Sequence, residues 1–160
     1  MATPVVEGWF TTPSDPGDRP AGPTLLGGRC TTCGTVAFPS PTWRGGFCPV
    51  PTCGGEEFEQ VPLSRRGTIW SYTDARYQPP PPYVPPQGEG EDYVPFALAA
   101  VELAEGIVVL GQVAEGYGVD DLRVGGEVEL VVEPLYTDET GERLVWRWKP
   151  VTELGEEADQ

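Results

Sequence analysis

Arg29-Cys30-Thr31-Thr32-Cys33-Gly34 is followed by Cys48-Pro49-Val50-Pro51-Thr52-Cys53-Gly54-Gly55, with fourteen residues between Cys33 and Cys48. These hold all four cysteines of the chain, in the pattern C-x2-C, x14, C-x4-C. Pairs this close let two thiolates reach one ion from a single tight turn. A glycine after the second cysteine of each pair lets backbone amides aim at sulfur. The pattern predicts a rubredoxin-like zinc ribbon over residues 29–62, with Cys30, Cys33, Cys48 and Cys53 around one Zn²⁺. Four thiolates complete a tetrahedron and leave no place for a catalytic water, so the expected role of the ion is structural. Two disulfides or four free thiols are the alternatives, and in a reducing compartment this spacing favours a metal. Iron is the rival ion, as in a rubredoxin-like electron carrier. The wider second knuckle and the short gap between knuckles fit iron less well.

Outward from the knuckles the chain reads as strands. Thr35–Phe38 and Glu57–Val61 flank the cysteines as short ribbon strands. From Gly67 to Tyr77 the sequence is rich in Ile, Thr, Trp and Tyr, residues that suit a pleated surface. Alternation puts Trp70, Tyr72, Asp74 and Arg76 on one face of it. Val94–Leu103 and Gly106–Val113 read as a hairpin around Ala104-Glu105-Gly106. Glu127–Leu135 alternates, with Val128, Leu130 and Val132 inward and Glu127, Glu129 and Glu133 outward. Asp138-Glu139-Thr140-Gly141 is a turn, and Leu144, Trp146 and Trp148 line one face of a last strand, with Arg147 and Lys149 opposite. The 21 glycines and 19 prolines, a quarter of the chain, argue against long helices. The fold class expected is mainly β: a docking arm (1–28), the zinc ribbon (29–62), a five-stranded OB-fold barrel (63–150) and an acidic tail (151–160). Within the arm, Val5, Val6, Trp9 and Phe10 are expected to form one helical turn that docks on a surface. A proline-rich loop, Gln78–Gly90, interrupts the barrel.

Charge and composition exclude several functions. The net charge is −15. Residues 1–88 carry six basic and seven acidic side chains, and residues 89–160 carry four and eighteen. Nucleic-acid affinity comes largely from Lys and Arg displacing counterions, so an acidic barrel predicts no nucleic-acid partner. The chain has no histidine, which removes Ser-His-Asp and Cys-His chemistry and any imidazole proton shuttle. No stretch is apolar for long enough to span a membrane, and the first 30 residues lack the apolar core of a secretory leader. No membrane partner and a cytoplasmic location are therefore expected.

Taken together in this order, several stretches resemble the acyl-CoA-associated zinc-ribbon/OB-fold protein family. They are Val6-Glu-Gly-Trp-Phe10, the first knuckle with Phe38-Pro39, the second knuckle, and Ser64-Arg-Arg-Gly-Thr-Ile-Trp-Ser-Tyr-Thr73. Pro95-Phe-Ala-Leu-Ala99, Val101-Glu-Leu-Ala-Glu-Gly106 and Arg123-Val-Gly-Gly-Glu-Val128 complete the set, which spans about residues 5–150. Two departures stand out: the family's second knuckle is usually C-P-x-C, and the proline-rich loop is unusually long here. The resemblance implies a non-catalytic accessory subunit of a thiolase-like acyl-CoA enzyme. The implied enzyme is an aldolase cleaving a steroid side-chain β-hydroxyacyl-CoA by a retro-aldol reaction, or a related thiolase. It implies a thiolase-fold, lipid-transfer-protein-type partner in a heterotetramer with two of each chain, and an enoyl-CoA hydratase as a further associate. CoA thioester would be substrate of the complex only. An autonomous acyl-CoA-binding module and an iron electron carrier are the competing classes. For partner or CoA contact the candidates are the aromatics Trp9, Phe10, Tyr77, Tyr83 and Tyr93, since aromatics dominate interfaces. The guanidinium groups Arg29, Arg44, Arg65 and Arg66 are candidates for phosphates or an acidic partner.

Overall fold

The structure, a computed structural model, describes residues 2–12, 22–44, 46–76 and 95–151. The strands are β1 (Thr3–Pro4), β2 (Leu26–Cys30), β3 (Val36–Ala37), β4 (Phe58–Pro62), β5 (Arg66–Ala75), β6 (Phe96–Leu103), β7 (Val108–Val113), β8 (Glu127–Asp138) and β9 (Gly141–Pro150). The helical content of the described residues is two short 3-10 turns, Pro41–Arg44 and Val119–Asp121.

β5 pairs with β8 and β6, β6 with β7, β7 with β9, and β9 with β8, so five strands close on themselves. The closing seam is short and parallel, Gln112 beside Arg147 and Val113 beside Trp148. This is the mainly β, five-stranded closed barrel that the strand spacing predicts. Alternation decides its inside. Along β6, Ala97, Ala99, Val101 and Leu103 are buried, while Leu98, Ala100 and Glu102 turn outward. Val128 and Leu130 of β8 and Trp148 of β9 are fully buried. Gly111 makes room for the indoles, because a Cβ there would lie 2.8 Å from Trp146 Nε1 and 2.9 Å from Trp148 Nε1.

The smaller sheet runs β3-β2-β4, with β2 antiparallel to both neighbours. It joins the barrel through a shared core, in which Phe10, Leu25 and Leu63 belong to the same buried cluster as Val101 and Trp148. The Leu63 amide donates to the Leu25 carbonyl at 2.9 Å. The Glu105 carboxylate, on the β6–β7 turn, accepts the Ser64 amide at 2.9 Å and the Ser64 hydroxyl at 3.1 Å.

Two expectations are corrected. The arm forms no helical turn at Val5–Phe10. Thr3–Pro4 instead runs parallel to β9, the Val5 amide donates to the Leu144 carbonyl at 2.7 Å, and Phe10 bridges to Leu25. Pro4 and Gly8, the latter at φ +83°, suit that extended and turned path better than a helix. In β5, a bulge between Ile69 and Ser71 breaks the alternation. Trp70 is the extra residue, so it does not share a face with Tyr72 and Asp74, whose cross-strand partners are Ala99 and Ala97.

Candidate metal centre and contact residues

Each knuckle is a turn closed by its own backbone. In the first, the Gly34 amide donates to the Cys30 carbonyl at 2.9 Å and the Cys30 amide to the Thr35 carbonyl at 2.8 Å. In the second, the Cys53 amide donates to the Val50 carbonyl at 3.0 Å and the Cys48 amide to the Gly55 carbonyl at 2.8 Å. Both turns reverse through a left-handed glycine, Gly34 at φ +83° and Gly54 at φ +72°. The longer second knuckle therefore reaches the same end by the same device. Amides point at sulfur in both: Thr32 to Cys30 Sγ at 3.4 Å, Val50 to Cys48 Sγ at 3.5 Å, and Gly55 to Cys53 Sγ at 3.4 Å.

The four sulfurs of Cys30, Cys33, Cys48 and Cys53 lie within 4.8 Å of one another, with Cys30–Cys53 and Cys33–Cys48 each at 3.6 Å. A tetrahedral Zn²⁺ with bonds of about 2.3 Å spaces its sulfurs about 3.8 Å apart, so this set fits such an ion with little movement. The separations far exceed the ~2.0 Å of a disulfide bond. Electrostatics agree. The Thr35 hydroxyl, 3.2 Å from Cys33 Sγ, and the Thr35 amide hold the Cys33 thiol down to about 6. The Cys33 and Thr32 amides lower Cys30. The Val50 amide favours the Cys48 thiolate, but burial and the three neighbouring sulfurs outweigh it and push Cys48 up to about 12. Cys53 is likewise raised, by burial and by Cys30 and Cys33, against the pull of the Gly55 amide. Four sulfurs this close cannot all be anionic by themselves, and a divalent cation among them removes the conflict. Gly55 is part of the cradle, since a Cβ there would stand 2.8 Å from Cys30 Sγ.

The other candidates do not gather into one site. Trp9 and Phe10 pack within the chain. Trp9 lies 5.5 Å from Phe38 and 6.0 Å from Trp146 between ring centroids, and Phe10 lies 5.7 Å from Trp146. Arg29 pairs with Glu59 at 3.3 Å. Arg65 donates to the carbonyls of Pro23 at 2.9 Å and Leu130 at 3.2 Å. Arg66 spans Glu127 at 3.3 Å and Glu129 at 3.6 Å. Each of these guanidinium groups has partners inside the fold. Tyr77, Tyr83, Tyr93 and the side chain of Arg44 lie outside the described residues.

One cluster escaped the sequence reading. Arg147, 9% exposed, pairs with Glu133 at 3.1 Å, and Glu133 also accepts the Glu115 amide at 3.0 Å. Arg147 helps line a cleft of about 430 Å³ with Phe96, Gln112, Tyr117 and Leu135. Alternation alone turns Arg147 away from the core, and only the strand register, Val131 opposite Arg147, brings Glu133 near it.

The family profile described as "ChsH2, C-terminal OB-fold domain" matches residues 60–133. The benzoylsuccinyl-CoA thiolase subunit BbsA of Thauera aromatica is 33% identical over 123 residues, 77% of this chain and 73% of BbsA. A DUF35 domain-containing scaffold protein of Methanocaldococcus jannaschii is 32% identical over 115 residues, 71% of each chain. Among solved structures, the Ltp2-ChsH2(DUF35) aldolase superposes with a TM-score of 0.57 at 25% identity, covering 79% of this chain and 84% of that one.

Proposed function

This chain belongs to the family of ChsH2-type OB-fold (DUF35) proteins, and on that premise we propose that it is the non-catalytic accessory subunit of a thiolase-type acyl-CoA enzyme. The observation that carries the reading is the span of the likeness. It covers 77% of this chain in a relative named as a thiolase subunit and 79% in a structure named as an aldolase complex. The residues support it. The four cysteines are gathered in one compact cluster and the chain has no histidine, so acid–base groups for carbon–carbon cleavage are better sought on another chain. We assign the tetrathiolate centre one structural Zn²⁺, because four sulfurs at these separations complete its coordination. The complex acts in the cytoplasm, as a heterotetramer with two copies of each chain, on a CoA thioester.

The reaction is retro-aldol cleavage of a steroid side-chain β-hydroxyacyl-CoA, the reading that the structural match to an aldolase favours. Thiolytic cleavage is the second reading, favoured by the higher identity to BbsA. The two differ in their use of free CoA: a thiolase consumes it, whereas a retro-aldol step releases carbonyl product and acyl-CoA without it. Co-expression with a thiolase-type subunit encoded in the same genome, followed by size exclusion, should give one peak with the mass of two copies of each chain. Cleavage by that peak should proceed without added CoA. Two separate peaks, or enzyme-like turnover by this chain alone, would overturn the accessory role. A strict need for CoA would replace the aldolase reading with the thiolase one.

A further inference from the structure

We propose that the outer face of β6 and β7, together with Trp70 of β5, is the surface on which the thiolase-type subunit packs, an inference that rests on the accessory-subunit reading. Three large apolar side chains are bare there: Trp70 is 63% exposed, Leu110 59% and Val108 47%. The strand register brings them into one patch. Ala100 stands opposite both Ser71, next to Trp70, and Leu110, while Glu102 stands opposite Val108. The β5 bulge is what thrusts Trp70 outward. β7 carries apolar residues on both faces, with Val109 and Val113 buried and Val108 and Leu110 outside beside the polar Gln112. A sheet strand that needs only one covered face has no reason to carry apolar residues on the other.

Charge says what covers the patch. On a chain of net charge −15, the outward side of β6 and β7 carries a single ionised group, Glu102. Charge is concentrated at the border toward β8, where Arg66 bridges Glu127 and Glu129. An apolar centre with an ionic margin is the anatomy of a protein interface. A second copy of this chain fits poorly. A two-fold pairing would bring together two chains of net charge −15 across a patch whose one ionised group is itself acidic. The occupant is therefore a different protein, with an apolar patch and a cation placed to meet Glu102.

The test uses the complex with a thiolase-type subunit encoded in the same genome. Leu110→Glu places a charge at the centre of the patch, and Trp70→Ala removes its largest side chain. Phe47→Glu, at a residue 68% exposed on the ribbon, is the control. Both patch variants should melt like the parent chain and bind the partner about 30-fold more weakly or worse, while the control binds normally. In the wild-type complex, amide exchange should slow over residues 98–102 and 108–112. Patch variants that bind as tightly as wild type would refute this face and leave the accessory role intact. Failure of the wild-type chain to bind would remove both. A homodimer abolished by Leu110→Glu, with the heteromeric complex undisturbed, would give the face to a second copy and also refute the proposal.

Discussion

The ribbon has strands of five, two and five residues, and the barrel has strands of six to twelve. In the barrel, Ile69, Val101, Leu103, Val128, Leu130 and Trp148 are all buried, and the sheet closes around them. In the ribbon, between Leu26 and Pro62, the buried apolar side chains among the described residues are Cys30 and Cys48, themselves part of the sulfur cluster. At about 25 cal/mol per Å² of apolar surface, the barrel has a driving force of its own, whereas the ribbon's one small three-stranded sheet does not. One half of the molecule is organised by exclusion of water and the other around a cluster of four sulfurs that could hold a metal ion.

The largest effect that tests this contrast is metal removal. Ion binding contributes about 10–16 kcal/mol in small zinc modules. Chelation should release amide exchange over residues 26–30 and 58–62 while residues 97–103 and 128–132 stay protected. Loss of both sets together would show a single cooperative unit and break the contrast. Trp148→Ala comes next. Removing the fully buried indole should lower barrel stability by about 3–5 kcal/mol in urea denaturation, with zinc affinity in a competition titration unchanged. A parallel loss of zinc affinity would show that the shared core, not the ion, sets ribbon order. The smallest effect lies at the β8–β9 hairpin. The Thr140 hydroxyl and Arg143 hold the Asp138 carboxyl at about 2, below its usual 3.8. A lowered pKa in the folded state means that its contribution is complete above about pH 4 and fades as pH falls toward 2. Wild type and Asp138→Asn should therefore differ slightly in melting temperature at pH 6 and converge near pH 2, and a constant difference across that range would rule out the linkage.

The same contrast explains what could be read from the amino acids. Cysteine spacing gave away the ribbon because ligand geometry is local: each knuckle needs only a tight turn, and Gly34 and Gly54 mark where it reverses. The barrel strands were legible through alternation, most clearly in β6 and the first half of β8. What alternation could not show depends on residues far apart in the chain. The bulge at Trp70 carries no glycine or proline to announce it. The arm's course is set by Phe38 and Trp146, 28 and 136 residues beyond Phe10. The ion pair of Arg147 with Glu133 follows from strand register, and so does the joining of Trp70 to Leu110 across β6. Those are products of pairing, and pairing is not written in any one strand.

Trp146 also imposes an order of events. It sits in β9, the last strand among the described residues, yet its ring meets Trp9, Phe10 and Phe38 from the first quarter of this sequence. During synthesis the amino-terminal peptide and the knuckles emerge well before their aromatic partner exists. The four sulfurs can assemble early, from one local stretch, whereas the seating of the arm waits until residue 146 has been made. A nascent chain stopped before Trp146 would present the gathered sulfur cluster beside an open, unsealed sheet.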